Sequence, residues 1–266
     1  MTNHQDDEAV EHNTGPLGSL PAGKARSQNR IASIAPDPGR DVAAWIDRTG
    51  RLRRAPASTA LSDPEIFEAL PARIPSKYQH RRHYQGRYWF AQLSQHIWHE
   101  SMLEYEALMW LDHTEPVSRI AAQPMKLFFA EGRTHVPDYI VQSRDGQCSI
   151  VNIRPEDRQD DAFKEQQEAV GRVAVDAGWL STTWGGVPTV AGKNLEFLGC
   201  FRRPQYAPSP EIADVLTRAA ADGATLASLR TKADTPAILH LLWIRRLTID
   251  LGSPLTARSI ITTPTP

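Results

Sequence analysis

Hydrophobic and polar positions alternate with two different periods through the middle of the chain. Apolar residues recur at helical spacing in segments 101–112 and 157–177, which predicts two amphipathic helices. Between them, segments 117–122, 125–130, 139–142 and 149–153 have the alternation of strands, and Asp145-Gly146 predicts a turn before the last one. Segment 195–201 is apolar and predicts a further strand. The sum is a mixed α/β core with one helix on each side of a sheet.

The segments before this core have mixed patterns. Residues 42–54 predict two strands joined by a turn at Thr49-Gly50, and the second strand is basic. Segment 62–70 predicts a short helix, with Ser62 as its N-cap and Glu65 three residues on. Segment 73–87 is basic and aromatic, and two interpretations stay open: a surface that contacts phosphates, or a solvated edge that leads into a strand at 88–91.

The C-terminal segments have a plan of their own. Segments 211–221, 225–231 and 236–243 predict three helices, and 247–251 and 259–261 predict two short strands. Three helices followed by a two-stranded ribbon is the plan of a winged helix, a helix-turn-helix variant. With a linker expected at 208–210, we predict three parts: a disordered tail at 1–40, a core domain at 41–205 and a winged-helix-like region at 206–266.

Composition narrows the possible functions only a little. The net charge of −1 gives no global signal for nucleic acid, so any contact with DNA must come from local patches. The two cysteines, Cys148 and Cys200, lie far apart without metal-ligand spacing, which favours buried thiols in a reducing compartment. No apolar run approaches the ~18 residues of a membrane span, and the N-terminus lacks the pattern of a signal peptide. We therefore expect a cytoplasmic protein without a membrane partner.

Four side chains form a candidate catalytic constellation. Glu104 lies on the predicted helix, Asp138 begins a strand, and Asn152 and Arg154 are two residues apart on the next strand. Residues at i and i+2 of a strand share one face. Hydrolysis of a phosphodiester needs a hard divalent cation held by oxygen ligands, and a positive charge near the phosphate helps. This set fits that requirement.

Each member of the set also has a structural interpretation. Ser101 and Glu104 match a capping box, in which Glu104 only bonds backbone N–H groups. Asp138 follows Pro137 and can be a turn residue, Glu100 can be a first-turn carboxylate, and Asn152 and Arg154 can belong to an exposed strand face. The functional interpretation gains from the combination of all these residues in one order.

Several short motifs resemble one protein family. They are GRYWFA (86–91), ESMLE (100–104), QP (123–124), HVPDY (135–139) and VNIRP (151–155), with HLLW (240–243), LTIDL (247–251) and PL (254–255) near the C-terminus. In this order they resemble the TnsA family, the endonuclease subunits of heteromeric cut-and-paste transposases, and the last three resemble its actinobacterial-type members. The resemblance covers residues 42–261.

The resemblance implies a fold, an activity and partners. The fold would be a restriction-endonuclease-like core of the PD-(D/E)XK type. The activity would be cleavage at the 5′ ends of a transposon, dependent on Mg²⁺, with Mn²⁺ as a substitute. The partners would be double-stranded DNA of the transposon ends, a TnsB-like DDE-type transposase that cuts the 3′ ends, and a TnsC-like regulatory ATPase.

The resemblance also implies roles for the four residues. Glu104 would be the helix carboxylate and Asp138 the central metal ligand. Asn152 stands where the family carries Glu, Gln or Asp, and its amide offers the metal an oxygen without negative charge. Arg154 stands where the family usually carries Lys, and it can hold a phosphate but cannot act as a base.

Three hypotheses follow from the sequence. The favoured one is the metal-dependent endonuclease, with Glu104, Asp138 and Asn152 as metal ligands and Arg154 at the phosphate. The second is a catalytically weakened assembly subunit that bridges transposase and ATPase. The third is a DNA-binding regulator that uses the winged helix; six basic against five acidic residues from position 206 onward argue against strong binding of DNA by this region alone.

Overall fold

The structure is a computed structural model that describes residues 31, 34, 37, 39–73 and 85–264. The predicted N-terminal tail lies mostly outside this range. Ile31 is described, and its side chain is buried against Ala44, Ile46 and Phe128. Most of the basic segment 73–87 is likewise outside the described residues, except for Arg73 and the residues from 85 onward.

Strands and helices are numbered here in chain order. The strands are β1 (Val42–Ile46), β2 (Leu52–Pro56), β3 (Gly86–Phe90), β4 (Gln95–His99), β5 (Val117–Ala122), β6 (Met125–Phe128), β7 (Thr134–His135), β8 (Tyr139–Ser143), β9 (Cys148–Ile153), β10 (Leu180–Trp184), β11 (Ala224–Thr225), β12 (Thr248–Ile249) and β13 (Ile260–Thr262). The helices are α1 (Ala57–Ser62), α2 (Met102–Thr114), α3 (Asp161–Asp176), α4 (Thr189–Gly199), α5 (Pro210–Ala220), α6 (Leu226–Leu229) and α7 (Thr235–Trp243). Among the described residues, no helix has both the length and the apolar character that a membrane span requires.

A four-stranded mixed sheet lies between α2 and α3. Its order is β10-β9-β8-β5; β10 pairs in parallel with β9, and the other two pairings are antiparallel. Val151 and its neighbours on one face pack against Leu108 of α2, and Ile150 on the other face packs against Val170 of α3. This alternation follows from the strand period of two residues. The predicted mixed α/β core with a helix on each side is confirmed.

A second sheet, of order β2-β1-β6-β7, extends the core beside α3. The predicted strands at 42–54 form β1 and β2, and Gly50 in their turn has a φ of +84°, which favours glycine. The prediction of a helix at 62–70 capped by Ser62 is wrong in detail. Ser62 ends α1, and a 3₁₀ turn, Pro64–Glu68, follows with Asp63 as its cap, because Asp63 accepts a hydrogen bond from the backbone N–H of Glu65.

Two predictions beyond α3 need correction. Segment 195–201 is mainly the second half of α4, where Ala191, Asn194, Leu195 and Leu198 are buried at helical spacing. The strand that completes the sheet is instead β10, which was not predicted. It is an edge strand whose residues 180–182 are exposed, so it lacks the alternation of buried apolar and exposed polar positions that would have predicted it.

The C-terminal region packs onto the core through apolar side chains and hydrogen bonds. Its helices α5, α6 and α7 and its strands β12 and β13 confirm the predicted helices and strands. The strand β11, which was not predicted, joins them in a small sheet of order β11-β13-β12. Trp243 is buried in the same apolar cluster as Leu108 of α2. The expected linker at 208–210 leads directly into α5, where Ser209 is the N-cap and Pro210 the first residue.

Candidate functional site

The pairing of strands brings three polar side chains to one end of the mixed sheet. Ala122 at the end of β5 pairs with Tyr139 at the start of β8, and Tyr139 pairs with Val151 of β9. The next residues along this row are therefore Gln123, Asp138 and Asn152. The backbone N–H of Gln123 donates to the carbonyl oxygen of Asp138 at 2.8 Å, which fixes the two residues side by side.

Asp138 is held at the point where β8 and β9 meet. Its Oδ2 accepts a hydrogen bond from the backbone N–H of Ile153 at 2.7 Å. Burial, the largest cause, and the negative charges of Glu104 and Glu100 raise the pKa of this carboxyl, while the bond from Ile153 and the charge of Arg73 oppose the rise, and the net pKa is about 7. The carboxyl therefore favours a positive charge close to it.

Glu104 caps its own helix, and its negative charge also acts on Asp138. Its Oε2 accepts from the backbone N–H of Glu100 at 2.7 Å, its Oε1 from the hydroxyl of Ser101 at 3.1 Å, and its own N–H donates back to Ser101. The capping box expected from the sequence is confirmed. Glu104 is only 8% exposed, and burial raises its pKa, as does the nearby charge of Glu100. Glu104 therefore caps α2 and at the same time lies close enough for its charge to act on Asp138.

Asn152 uses both its oxygen and its nitrogen in hydrogen bonds within the protein. Its Oδ1 accepts from Nε2 of His135 at 2.7 Å, and its Nδ2 donates to Oε1 of Gln167 on α3 at 2.7 Å. The side chain is 1% exposed. Burial lowers the pKa of His135, so this imidazole is neutral at pH 7. One lone pair of the Asn152 oxygen is consequently taken by the protein itself.

Arg154 faces α3. Its Nε donates to the carbonyl oxygen of Arg158 at 2.9 Å, and its guanidinium lies 5.5 Å from the ring centre of Phe163. Asn152 and Arg154 share the β9 face that carries Ile150, and this face packs against α3. Glu104 comes from α2, on the opposite face. The structure thus brings Glu104 and Asp138 together at the sheet end, with Asn152 beside them, and turns Arg154 aside.

Three neighbouring side chains were not predicted as site residues. Glu100 and Arg73 form an ion pair, and the charges of both act on Asp138. Gln123 is 2% exposed and its backbone has a φ of +48°, which is rare outside glycine. Each had only a weak signal in the sequence: Glu100 and Gln123 lie inside the motifs that carry the family resemblance, and Arg73 begins the basic segment.

No protein-family model matches this chain, and no curated protein gives a significant match. The family resemblance therefore rests on the short motifs. The function has to be inferred from these motifs together with the contacts of the residues that they contain.

The acceptor atoms at the sheet end are oxygens, the ligand type that Mg²⁺ prefers. Two buried acceptor atoms in the described residues lack a hydrogen-bond partner there, Oε1 of Glu100 and Oε1 of Gln123. A buried acceptor without a donor costs free energy, which a bound cation would recover. The described residues contain no group of three His, Cys, Asp or Glu side chains placed to hold a metal. One or two carboxylates with several waters is nevertheless the usual protein contribution to a Mg²⁺ site.

Proposed function

We propose that this chain is the Mg²⁺-dependent DNA endonuclease subunit of a heteromeric cut-and-paste transposase and cleaves the 5′ ends of the transposon. The observation that carries the proposal is the Asp138 carboxylate at the meeting point of β8 and β9, beside Glu104 of α2. The element order α2, β5, β8, β9, α3, β10 supports it. The resemblance implies a restriction-endonuclease-like core of mixed sheet with flanking helices, and in the mixed sheet and its two helices the sequence of a helix, three antiparallel strands, a second helix and a parallel strand agrees with that core.

Asp138 and Glu104 would hold the metal, and Asn152 would add a neutral oxygen. When bound, Mg²⁺ supplies charge neutralisation and a water of lowered pKa for attack on the phosphorus. The bond from the N–H of Ile153 orients Asp138, and the capping box orients Glu104. His135 orients the oxygen of Asn152. Cleavage would leave 5′-phosphate and 3′-hydroxyl ends, the polarity that the family resemblance implies.

The proposed partners also come from the resemblance. They are the double-stranded transposon ends, a TnsB-like DDE transposase and a TnsC-like ATPase. The net charge of −1 supports dependence on a partner, because a chain with no net positive charge gains little from counterion release on DNA. Omitting the TnsB-like subunit should therefore abolish cleavage.

A cleavage assay with two matched aspartate variants tests the proposal. The reaction contains transposon-end DNA, the TnsB-like partner and Mg²⁺. Asp138→Asn should reduce 5′-end cutting by at least about 100-fold, because it removes the central carboxylate. Asp145→Asn is the control, because Asp145 lies in the β8–β9 turn, and it should cut like the wild type. Unchanged cutting by Asp138→Asn would refute the proposed function.

One observation favours a second candidate, an assembly subunit with a weakened site. Asn152 stands at the position of the family's second acidic or amide ligand, and its oxygen already accepts from His135. Arg154 stands at the position of the family's usual lysine, and it donates to the carbonyl oxygen of Arg158. Under this alternative, Asn152→Glu would gain Mg²⁺-dependent cutting that the wild type lacks. Cutting by the wild type that Asn152→Glu does not increase would exclude it.

The described contacts do not favour the DNA-binding regulator. We infer a winged-helix plan for residues 206–266 from the order α5, β11, α6, α7, β12, β13. The last of its three helices, α7, corresponds to the helix that enters the major groove in helix-turn-helix proteins. Here residues 238–243 of α7 are buried, and His240 bonds the carbonyl oxygen of Phe201. This helix has no exposed face for base recognition over those residues.

A further inference from the structure

Among the described residues, Arg73 has a charge that acts on both carboxylates, and it lies outside the four-stranded sheet. Arg73 forms an ion pair with Glu100, through Nη2 and Oε2. Its charge acts on both Asp138 and Glu104 and favours their ionised forms. Arg154, the cation expected from the sequence, is bonded to the carbonyl oxygen of Arg158 and lies over Phe163. Arg73 is thus the arginine with a charge close to the carboxylates, a position that the sequence predicted for Arg154.

The backbone fixes the position of Arg73 at this end of the sheet. The N–H of Ala72 donates to the carbonyl oxygen of Gln123 at 2.7 Å. Ala72 itself is buried in a cluster with Ile46 and Phe128. Because Gln123 is also hydrogen-bonded to Asp138, only Gln123 and Ala72 lie between Asp138 and Arg73 along this path. The ion pair with Glu100 thus follows from the main-chain arrangement.

Arg73 is also open to a ligand from solvent. Its side chain is 55% exposed, whereas that of Glu100 is 12% exposed. A guanidinium keeps its charge at every relevant pH and offers several N–H donors in a planar fork, which suits two oxygens of one phosphate. One edge of the group can remain near Glu100 while another meets an incoming anion.

We infer that Arg73, rather than Arg154, is the cation that holds the DNA phosphate at this site, with Glu100 as its counter-ion in the free protein. This inference rests on the proposed function. The pair keeps Arg73 beside Asp138 before DNA arrives. A phosphate that engages Arg73 would weaken its hold on Glu100, whose Oε1 already lacks a partner, and would leave that carboxylate more available to the metal.

Matched arginine variants of the full-length chain test the inference in two ways. In the cleavage reaction, Arg73→Gln should lower the rate at saturating DNA by about 100-fold, the usual effect of removing one transition-state donor. Arg154→Gln should change it less than about threefold, and Arg73→Lys should recover part of the loss because it keeps the charge without the fork.

The second readout is Mn²⁺ affinity without DNA, measured by titration calorimetry. Arg73→Gln removes a positive charge beside the carboxylates and should bind Mn²⁺ several-fold more tightly, while Arg73→Lys and Arg154→Gln should match the wild type. A folding defect would lower both the cleavage rate and the Mn²⁺ affinity, so it would not explain slower cleavage together with tighter Mn²⁺ binding.

Either of two results would overturn the inference: cutting that survives Arg73→Gln but not Arg154→Gln, or an Mn²⁺ affinity that Arg73→Gln leaves unchanged. The proposed function fails on a different result, namely cutting that survives Asp138→Asn. If the wild-type complex does not cut at all, the Mn²⁺ titration decides alone. Tighter binding by Arg73→Gln then supports its place at the carboxylates, and unchanged binding refutes it.

Discussion

At the scale of single residues, the Asp138 carboxyl is destabilised when it is ionised. Its pKa is raised from an ordinary 3.8 to about 7, first by burial and then by Glu104 and Glu100. Between these two pH values, the folded protein holds a proton that the unfolded chain has released. The free energy of unfolding therefore falls as the pH rises through this window. A cation bound beside the ionised Asp138 carboxylate would therefore stabilise the folded protein.

This cost can be measured by removing the charge. In EDTA at pH 8, Asp138→Asn should raise the free energy of unfolding by about 2 kcal/mol, a part of the pKa difference converted to free energy. The amide oxygen can still accept from the N–H of Ile153. The gain should nearly disappear at about pH 3, where the wild-type carboxyl is mostly protonated in both states. Denaturant titrations at the two pH values check this.

The variant Asp145→Asn is the control with the opposite sign. A hydrogen bond from Ser143 lowers the pKa of Asp145, so its loss should destabilise the fold at pH 8. A gain by Asp138→Asn that is equal at both pH values would contradict the electrostatic explanation.

The sequence was informative about residues whose spacing is local. Glu104 and Asp138 were predicted from their places on a helix and at a strand start, and the structure brings them together. Arg73 and His135 could not be assigned, because their partners Glu100 and Asn152 lie 27 and 17 residues away. Neither pairing follows from a periodic pattern, and both depend on how the two sheets meet.

At the scale of elements, α2 connects three parts of the molecule. Its first turn carries the capping box of Ser101 and Glu104 at the candidate site. Near its other end, Asp112 bonds the β3–β4 hairpin, and His113 donates through Nδ1 to the carbonyl oxygen of Trp243 at 2.9 Å. Burial lowers the pKa of His113 to about 4, so the ring stays neutral in this contact. A shift of α2 would therefore disturb site, hairpin and C-terminal region together.

Asp112 should be the main polar anchor of the hairpin. Its carboxylate accepts from the hydroxyl of Tyr88 at 2.9 Å and from the backbone N–H groups of Ala91 and Gln92 at 2.8 and 3.1 Å. Asp112→Ala leaves these donors unpaired, so we expect a loss of about 3 kcal/mol in the free energy of unfolding. Thermal and denaturant unfolding measure it.

The matched control is Asp250→Ala, which removes a carboxylate that accepts from the N–H of Gly252 in a surface turn. Its effect on the free energy of unfolding should be much smaller than that of Asp112→Ala, because this carboxylate is exposed to solvent. Equal losses in the free energy of unfolding for the two variants would contradict the role of Asp112 as the main polar anchor of the hairpin.

Elements were predictable where burial produced a clear period. The helix α2 and the strands β5, β8 and β9 follow their sequence patterns closely. Segment 195–201 was wrongly predicted as a strand because a short apolar run does not distinguish a strand from a buried helix. Its apolar side chains are buried against α2 and the C-terminal region. Strand β10 was missed because its exposed residues are held by pairing with β9 and not by burial.

At the scale of the whole molecule, residues 206–266 share the core of the preceding domain. Leu198 of α4 and Trp243 of α7 lie in one apolar cluster with Leu108 of α2. Asn194 adds two hydrogen bonds of 2.8 Å, to the carbonyl oxygens of Leu251 and Ser253. Parts joined by buried side chains and internal hydrogen bonds are expected to unfold together.

Trp243→Ala tests this cooperation. The side chain is 2% exposed, and its removal should cost about 3–5 kcal/mol. Hydrogen exchange should then lose protection in α2 as well as in α7. Val215→Ala on α5 is the control, because Val215 is 40% exposed and should leave exchange unchanged. Loss of protection confined to residues 206–266 would show a region that unfolds independently.

The most direct test of the central claim is cleavage of end-labelled transposon DNA by the wild-type chain with its TnsB-like partner, in Mg²⁺ and in EDTA. We predict a cut at the 5′ end of each transposon terminus in Mg²⁺ and none in EDTA, with a 5′-phosphate left on the product. An assembled complex that never cuts the 5′ end in Mg²⁺ or Mn²⁺ would contradict the assignment and favour an assembly subunit.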